Sequence, residues 1–294
     1  MPTSTADPAS VSSAETATTR LDVELVRRGL ARARGQAEEM IRAGRVRVDG
    51  RIARKASQPV APTADLTVAP GDEPDYVGRG ARKLAGVLDD LTTSGQAPVI
   101  HDRRCLDAGA STGGFTQVLL ARGAREVLAV DVGHDQLAEP VRADPRVRDL
   151  PGTSVRGLPA ETLGGPVDLL VADLSFISLQ TVLADLVALV RAGGDLLVLV
   201  KPQFEVGRAR LGSGGVVRDP ALRASAVLDV VRHAGELGLT VRAVLASRWP
   251  GPSGNVEFFV LLRAPGADEL PGLAAGELES AVRAAVAAPV GGGS

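Results

Sequence analysis

Apolar residues follow two different patterns along the chain. Between residues 20 and 71 they first recur at helical spacing. Leu21, Leu25, Val26 and Leu30 predict one helix, and Ala33, Ala37, Met40 and Ile41 predict a second, stopped by Gly44. The pattern then alternates through Val46-Arg47-Val48 into Asp49-Gly50, a strong short hairpin signal, and Leu66-Thr67-Val68 predicts one more strand before Pro70-Gly71. From Gly80 onward, short apolar runs alternate with amphipathic stretches. Strands are expected over 104–108, 126–132, 167–172, 196–200, 241–246 and 256–262, and helices over 113–122, 178–190 and 220–237. Such an alternation predicts a doubly wound α/β domain with a mostly parallel sheet over 81–264. The expected organisation is a disordered tail over 1–19, a small α+β domain over 20–71, a polar linker over 72–80, the α/β domain, and a Gly- and Ala-rich tail over 265–294 with one helix over 277–286. No internal repeat is visible.

Charge sharpens this division. The formal net charge is −2, which by itself argues against a general nucleic-acid binder. Residues 20–57, however, hold 11 basic and 5 acidic side chains, a local +6, so the remainder carries −8. A basic module on an acidic body points to a polyanionic partner for the module. No run of eighteen apolar residues exists to span a membrane, and the Ser/Thr/Ala-rich start has no apolar core of a secretory signal. The single cysteine, Cys105, lies in an apolar run and reads as a buried structural thiol. A cytoplasmic, monomeric protein is expected.

Of the 33 basic residues only Lys55, Lys83 and Lys201 are lysine. Arginine stays protonated, whereas lysine can give up its proton, so a lysine retained in such a chain marks a place where arginine will not serve.

The stretch LVRRGLARARGQAEEMIRAGRVRVDG resembles the S4-type RNA-binding domain, with its two helices and V-x-V-[DN]-G turn. The local positive charge of this unit, which includes Arg27, Arg28, Arg32, Arg34, Arg45 and Arg47, supplies the expected RNA contacts.

The first strand of the α/β domain ends in Asp107-Ala108-Gly109-Ala110-Ser111-Thr112-Gly113-Gly114-Phe115, and a helix follows. Ligands of such sheets bind at the carboxyl ends of strands, and glycines let the backbone come close to them. The second strand runs into Asp131, where an acid commonly binds ribose hydroxyls. A Gly-rich turn alone is shared with dinucleotide enzymes. The D-A-G-x-x-x-G-G-F form looks like motif I of methyltransferases that use S-adenosylmethionine (SAM). It implies cofactor contacts from Asp107, Gly109, Ala110, Ser111, Gly113, Gly114, Phe115, Asp131 and Asp173.

Four ionisable residues stand beside strand ends or in distinctive sequence. Lys83 follows Gly78-Arg79-Gly80-Ala81-Arg82, Asp173 ends a strand in VADLSFISL, Lys201 ends the most apolar strand in LLVLVKPQFEVG, and Glu257 is the only charge in the expected strand of GPSGNVEFFVLL. A charge within an apolar strand is costly unless paired, so Glu257 predicts a neighbouring cation. The motifs CLDAGASTGGFT, VADLSFISL, LVKPQFEVG and PGPSGNVEFF are similar to those of the TlyA family, and the catalytic domain resembles the wider FtsJ-type 2′-O-methyltransferases. The resemblance covers roughly residues 20–263. It implies a Rossmann-like class I SAM methyltransferase domain, a Lys83–Asp173–Lys201–Glu257 catalytic tetrad, and 2′-O-methylation of cytidine in ribosomal RNA of the small subunit, the large subunit, or both. The chain departs from the family at His134-Asp135, after the ribose acid, and in DLPGTSVRGL, which bears on the details of adenosine contacts.

The chemistry expected is in-line transfer from a sulfonium, which needs no Lewis acid and hence no metal. A sugar hydroxyl is a poor nucleophile at neutral pH and benefits from a base, for which Lys201 is the candidate; a protonated Lys201 would instead steer the hydroxyl. Two other classes stay open on sequence alone. One is a SAM methyltransferase with a non-RNA substrate, against which the arginine-rich unit argues. The other is a non-catalytic rRNA-binding assembly factor, against which the intact tetrad argues.

Overall fold

The computed structural model describes residues 18–70, 76–207, 210–267 and 271–289. The expected tail up to residue 17, the linker residues 72–75 and parts of the C-terminal tail lie outside them. The chain divides into two units, Met1–Asp75 and Tyr76–Ser294.

In the first unit β1 (Thr19–Arg20) leads into α1 (Leu21–Arg27) and α2 (Arg34–Arg42), followed by β2 (Val46–Val48), β3 (Arg51–Ile52), β4 (Pro59–Val60) and β5 (Leu66–Val68). β2 is the centre of an antiparallel sheet ordered β3-β2-β5, and β1 pairs with β4. Asp49 and Gly50 both take positive φ at the hairpin tip, as a tight two-residue turn requires. The helices bury Leu21, Leu25, Ala37, Met40 and Ile41 against Val46, Val60 and Leu66. Two acids are buried with them. Asp22 accepts from Arg20 and Arg34, and Glu24 from Arg27 and Arg28. The Arg20 hydrogen bond, with Arg34 adding to it, holds the Asp22 carboxyl down at about 2; the Arg27 and Arg28 bonds do the same for Glu24.

The second unit opens with α3 (Arg79–Thr93), a helix that begins inside the stretch expected as linker. Its buried residues Leu84, Val87, Leu88 and Leu91 have the i, i+3, i+4, i+7 spacing that marks it. β6 (Arg104–Ala108), α4 (Gly114–Ala121), β7 (Glu126–Val130), α5 (Glu139–Arg142), β8 (Val147–Leu150), β9 (Val167–Ala172), α6 (Leu179–Ala188) and β10 (Val190–Val200) follow. Then come α7 (Pro202–Glu205), α8 (Pro220–Glu236), β11 (Thr240–Ala246), β12 (Phe258–Arg263) and α9 (Ala275–Ala287). The seven strands are ordered β11-β12-β10-β9-β6-β7-β8. β12 is antiparallel to both its neighbours, and the other pairs are parallel. β10 is longer than its apolar half suggests, because Arg191 to Asp195 form an irregular lead-in that the apolar pattern does not mark. Glu257 precedes β12 instead of lying in it, although its carbonyl still accepts from Ser247 N across the sheet.

Both faces of this sheet are covered, which is why its central strands read as unbroken apolar runs. Leu196, Val198 and Val200 pack with Val182, Leu186 and Val230 on one face. Leu197 and Leu199 pack with Leu84, Leu88 and Leu119 on the other. Each such buried side chain contributes about 1.5–3 kcal/mol. Cys105 is buried, and desolvation pushes its thiol up to about 12, as befits an inert core residue. The chain runs from β6 outward through β7 to β8, then returns to add β9 and β10 on the other side. The reversal lies between β6 and β9, and such a switch point opens a crevice at the carboxyl ends of the strands.

Candidate active site

The loop leaving β6 is held in a shape few sequences allow. Gly109, Ser111 and Gly113 have φ of +84, +46 and +87°. The amides of Gly109 and Ala110 both donate to Val130 O, and Ser111 N donates to Asp131 Oδ2 at 2.8 Å. Asp131 Oδ1 accepts from Gly133 N at 2.7 Å, so one carboxylate ties the turn after β6 to the turn after β7. The need for glycine at Gly109 has a local cause. A Cβ there would lie 2.7 Å from the carbonyl oxygen of Asp173, so the residue is small because two strand ends abut. At Gly113 a Cβ would meet Val141 at 2.8 Å, and at Gly114 it would crowd Ala81 N at 3.0 Å, where α3 crosses the start of α4. Ala110 is buried beside Leu137 and Val141. Phe115 turns its ring into the core and stacks on Phe259, centroids 6.1 Å apart, so its side chain belongs to the packing.

Asp107 is wholly buried. Its Oδ2 accepts from Thr116 N at 2.8 Å and Thr116 Oγ1 at 2.7 Å, while its Oδ1 has no hydrogen-bond partner among the described residues. Burial pushes this carboxyl up to about 7; the Thr116 bonds oppose the shift and the charges of Asp173 and Asp131 reinforce it. The native state therefore keeps a proton that the unfolded chain loses near pH 4. Stability should fall as pH rises from about 4 to about 7, by about 4 kcal/mol in all. We expect the midpoint of thermal unfolding to drop about 5–10 °C between pH 5 and pH 8, and the Asp107→Asn protein to show a much flatter profile. An equally steep profile in that variant would assign the pH dependence elsewhere. The stabilised acids Asp22 and Glu24 act only at lower pH.

The four charged residues resolve into two ion pairs. Lys83, one turn into α3, donates to Glu257 at 2.6 Å, and Glu257 is only 1 % exposed. This is the cation that an isolated acid in apolar sequence demands. Gly251 is a glycine because a Cβ would collide with Glu257 Oε1. Lys201 Nζ lies 2.7 Å from Asp173 Oδ1 and donates to Ser175 Oγ at 2.8 Å. It also sits 5.9 Å from the centre of the Phe204 ring. Topology brings the pairs together. Val200 faces Phe258 across β10 and β12, so Lys201 and Glu257 lie one residue beyond that last pairing. Asp173 follows β9, the other neighbour of β10, and its amide donates to Ala108 O beside the Gly-rich turn. A Cβ on Gly80 would stand 3.6 Å from Asp173 Oδ2, which sets the start of α3 against the same acid.

Several residues around this cluster escape a reading by charge alone. Ser175 holds Lys201. Phe176 is 93 % exposed with φ +65°, and its ring meets Phe204 at 5.4 Å between centroids. Glu205 accepts from Ser178 Oγ and Leu179 N. All three lie in the two quoted motifs VADLSFISL and LVKPQFEVG.

In the first unit the six arginines expected at RNA differ in what they do. Arg28 is largely enclosed, bonding Glu24 and the carbonyls of Ala64 and Pro62, so it braces the fold. Arg27 and Arg34 pair with Glu24 and Asp22 but stay more than half exposed. Arg45 and Arg47 donate to Ala69 O and Gly50 O on the surface. Arg32 is exposed, and its amide donates to Gln36. No helix among the described residues is long and apolar enough to cross a membrane.

Comparison with known proteins fits this geometry. The FtsJ-like methyltransferase profile matches residues 76–264, and the S4 domain profile matches residues 19–66. The 16S/23S rRNA (cytidine-2′-O)-methyltransferase TlyA of Mycobacterium tuberculosis is 57% identical over 244 residues, covering 83% of this chain and 89% of that one. The 23S rRNA (cytidine-2′-O)-methyltransferase TlyA of Campylobacter jejuni is 34% identical over 187 residues, 63% of this chain and 69% of its own. A hemolysin-named protein of known structure from Streptococcus thermophilus superposes with a TM-score of 0.68 at 32% identity, covering 92% of this chain and 95% of its own. With both domain profiles matched in order and a relative 57% identical over most of both chains, the chain belongs to the TlyA family of FtsJ-like methyltransferases that carry an S4 domain.

Proposed function

We propose that this protein transfers the methyl group of SAM to the ribose 2′-hydroxyl of a cytidine in ribosomal RNA, in the small subunit, the large subunit, or both. The observation that carries the reading is the convergence of Lys83–Glu257 and Asp173–Lys201 at the strand ends that flank the loop after β6. The residues present fit SAM. Asp107 keeps a buried oxygen without a hydrogen-bond partner among the described residues, Asp131 braces the neighbouring turn, and the acids Asp107, Asp131 and Asp173 lie close enough to act on one another, as suits a cationic cofactor. When bound, the cofactor supplies an electrophilic methyl group. Asp107, Gly109, Ala110, Ser111, Gly113, Gly114 and Asp131 would hold it, with Phe115 contributing through its backbone, and Asp173 would face it from β9.

Lys201 is the group placed to take or orient the hydroxyl proton. Ser175 accepts one hydrogen bond from its nitrogen and the Asp173 charge holds it at 2.7 Å, so a ribose oxygen can take up a remaining direction. Lys83 and Glu257 brace the opposite side of the cluster. Phe176, an exposed aromatic side chain on a left-handed backbone beside Asp173, offers a face on which an unstacked base can lie. The S4 unit would bring the RNA, using Arg27, Arg32, Arg34, Arg45 and Arg47 on its surface, and a ribosomal substrate places the protein in the cytoplasm. Arg28 we assign to the fold of that unit.

Radiolabelled methyl transfer from SAM to isolated ribosomal subunits, followed by nucleoside analysis, tests the reading. We expect label in 2′-O-methylcytidine. SAM binding without transfer to rRNA would favour an assembly factor instead. Deleting residues 1–75 should leave SAM affinity intact, weaken subunit binding, and flatten its salt dependence, since each lost phosphate contact removes about one released counterion. A truncated chain that methylates subunits as well as the full chain at physiological salt would refute the recognition role of the S4 unit.

A further inference from the structure

We propose that Glu205 is a positioning residue, holding the loop that carries Phe176 in the conformation that receives the RNA. The inference rests on the function proposed above. The loop from Asp173 to Ser178 connects β9 to α6 and is tied at both ends by one short turn, Lys201 to Glu205. At its front end Lys201 grips Asp173 at 2.7 Å and Ser175 at 2.8 Å. At its rear end Glu205 accepts from Ser178 Oγ at 2.6 Å, from Leu179 N at 2.8 Å and from Gln180 Nε2 at 3.4 Å. Between the two grips the Phe204 ring supports Phe176.

Phe176 needs such support. Its φ of +65° lies in the left-handed region, which a bulky side chain adopts only where its surroundings impose it. Its ring is almost fully exposed, so burial does not impose it. What fixes the backbone is the anchoring of the residues on either side. Ser178 is the N-cap of α6, its hydroxyl accepting from Gln180 N, and Glu205 adds an anionic acceptor at the same end of the helix, where a negative charge is favoured. Without Glu205 the rear anchor loses its hydroxyl and amide acceptor, and Phe176 is free to relax to the ordinary region and swing from the face of the cluster. A carboxylate suits the task because both of its oxygens accept, whereas the amide of glutamine has one acceptor.

The test uses the full chain with Glu205→Ala, Glu205→Gln, Phe176→Ala and the Glu205→Ala/Phe176→Ala pair. With SAM saturating, Glu205→Ala should lower kcat/KM for ribosomal subunits about 100-fold, the effect of a displaced contact. Glu205→Gln should lose less. SAM affinity by calorimetry should stay within about twofold, and the double variant should be no worse than Phe176→Ala alone, because one residue acts through the other. Additive losses, or a fall in SAM affinity parallel to the rate, would overturn the proposal. Hydrogen exchange in the free protein separates it from the functional reading. Glu205→Ala should speed exchange across residues 174–180; unchanged exchange there overturns the proposal, whereas a wild-type chain that leaves rRNA unmethylated refutes the methyltransferase reading instead.

Discussion

Replacing Lys201 with alanine should lower methyl transfer by about 10²- to 10⁴-fold, the usual effect of losing a positioned proton acceptor, while SAM affinity changes little. The side chain is nearly buried at the end of β10, and its nitrogen is held by Asp173 and Ser175. None of these contacts is to the Gly-rich turn, so the cofactor loop keeps its bracing from Asp131 in the variant. Asp173 loses its counterion, but its side chain is 22% exposed and the space left by the lysine admits water, so the cost in stability should be smaller than for a fully buried pair. Lys201→Arg separates two roles. Arginine keeps a positive charge and cannot act as a base, and its longer planar head does not reproduce a point donor between Asp173 and Ser175. Single-turnover methylation at saturating SAM is the measurement. A near-normal rate in the arginine variant would remove the base assignment and leave steering of the hydroxyl as the role of Lys201.

How far the sequence leads depends on the range of the interactions involved. The strands at Leu196 to Val200 and Phe258 to Leu262 are legible because both faces of the sheet are covered, so no polar residue interrupts them. Glu257 is legible as a paired acid because a lone charge beside such a run must find a cation, and Lys83 meets it from 174 residues away. The four charged residues at the site were thus open to inference from charge and position. Those that were not act through contacts that no local pattern records. Ser175 and Glu205 are ordinary polar residues until β9 and β10 lie side by side and their following turns meet. Arg28 looks like any other arginine of a basic helix, but carbonyls more than thirty residues away enclose it. Gly109 reads as a glycine kept small for a ligand, yet the atom it avoids first is the carbonyl of Asp173. The extent of α3 was available in the spacing of Leu84, Val87, Leu88 and Leu91, although the polar, glycine-bearing start of the helix reads as linker.

The Lys83–Glu257 pair should show the opposite balance from Lys201, with a large effect on stability as well as on activity. Both side chains are buried and their charged atoms are 2.6 Å apart. Glu257→Leu leaves the buried Lys83 ammonium without its carboxylate, and removing one partner of a buried pair costs about 3–5 kcal/mol. Lys83→Met in the same chain removes the stranded charge. An apolar pair of similar volume is often as stable as the ion pair it replaces, so the double variant should recover most of that loss. Activity should not return with it. The pair stands one position beyond the register that aligns Lys201, and replacing it with apolar side chains removes a charged wall of the site. Urea unfolding of the wild type, the single and the double variant, read beside methyl transfer, distinguishes the two contributions. If the double variant is no more stable than Glu257→Leu, the stranded charge is not the source of the loss. If it methylates RNA at the wild-type rate, the pair serves the fold alone and the catalytic cluster reduces to Asp173 and Lys201.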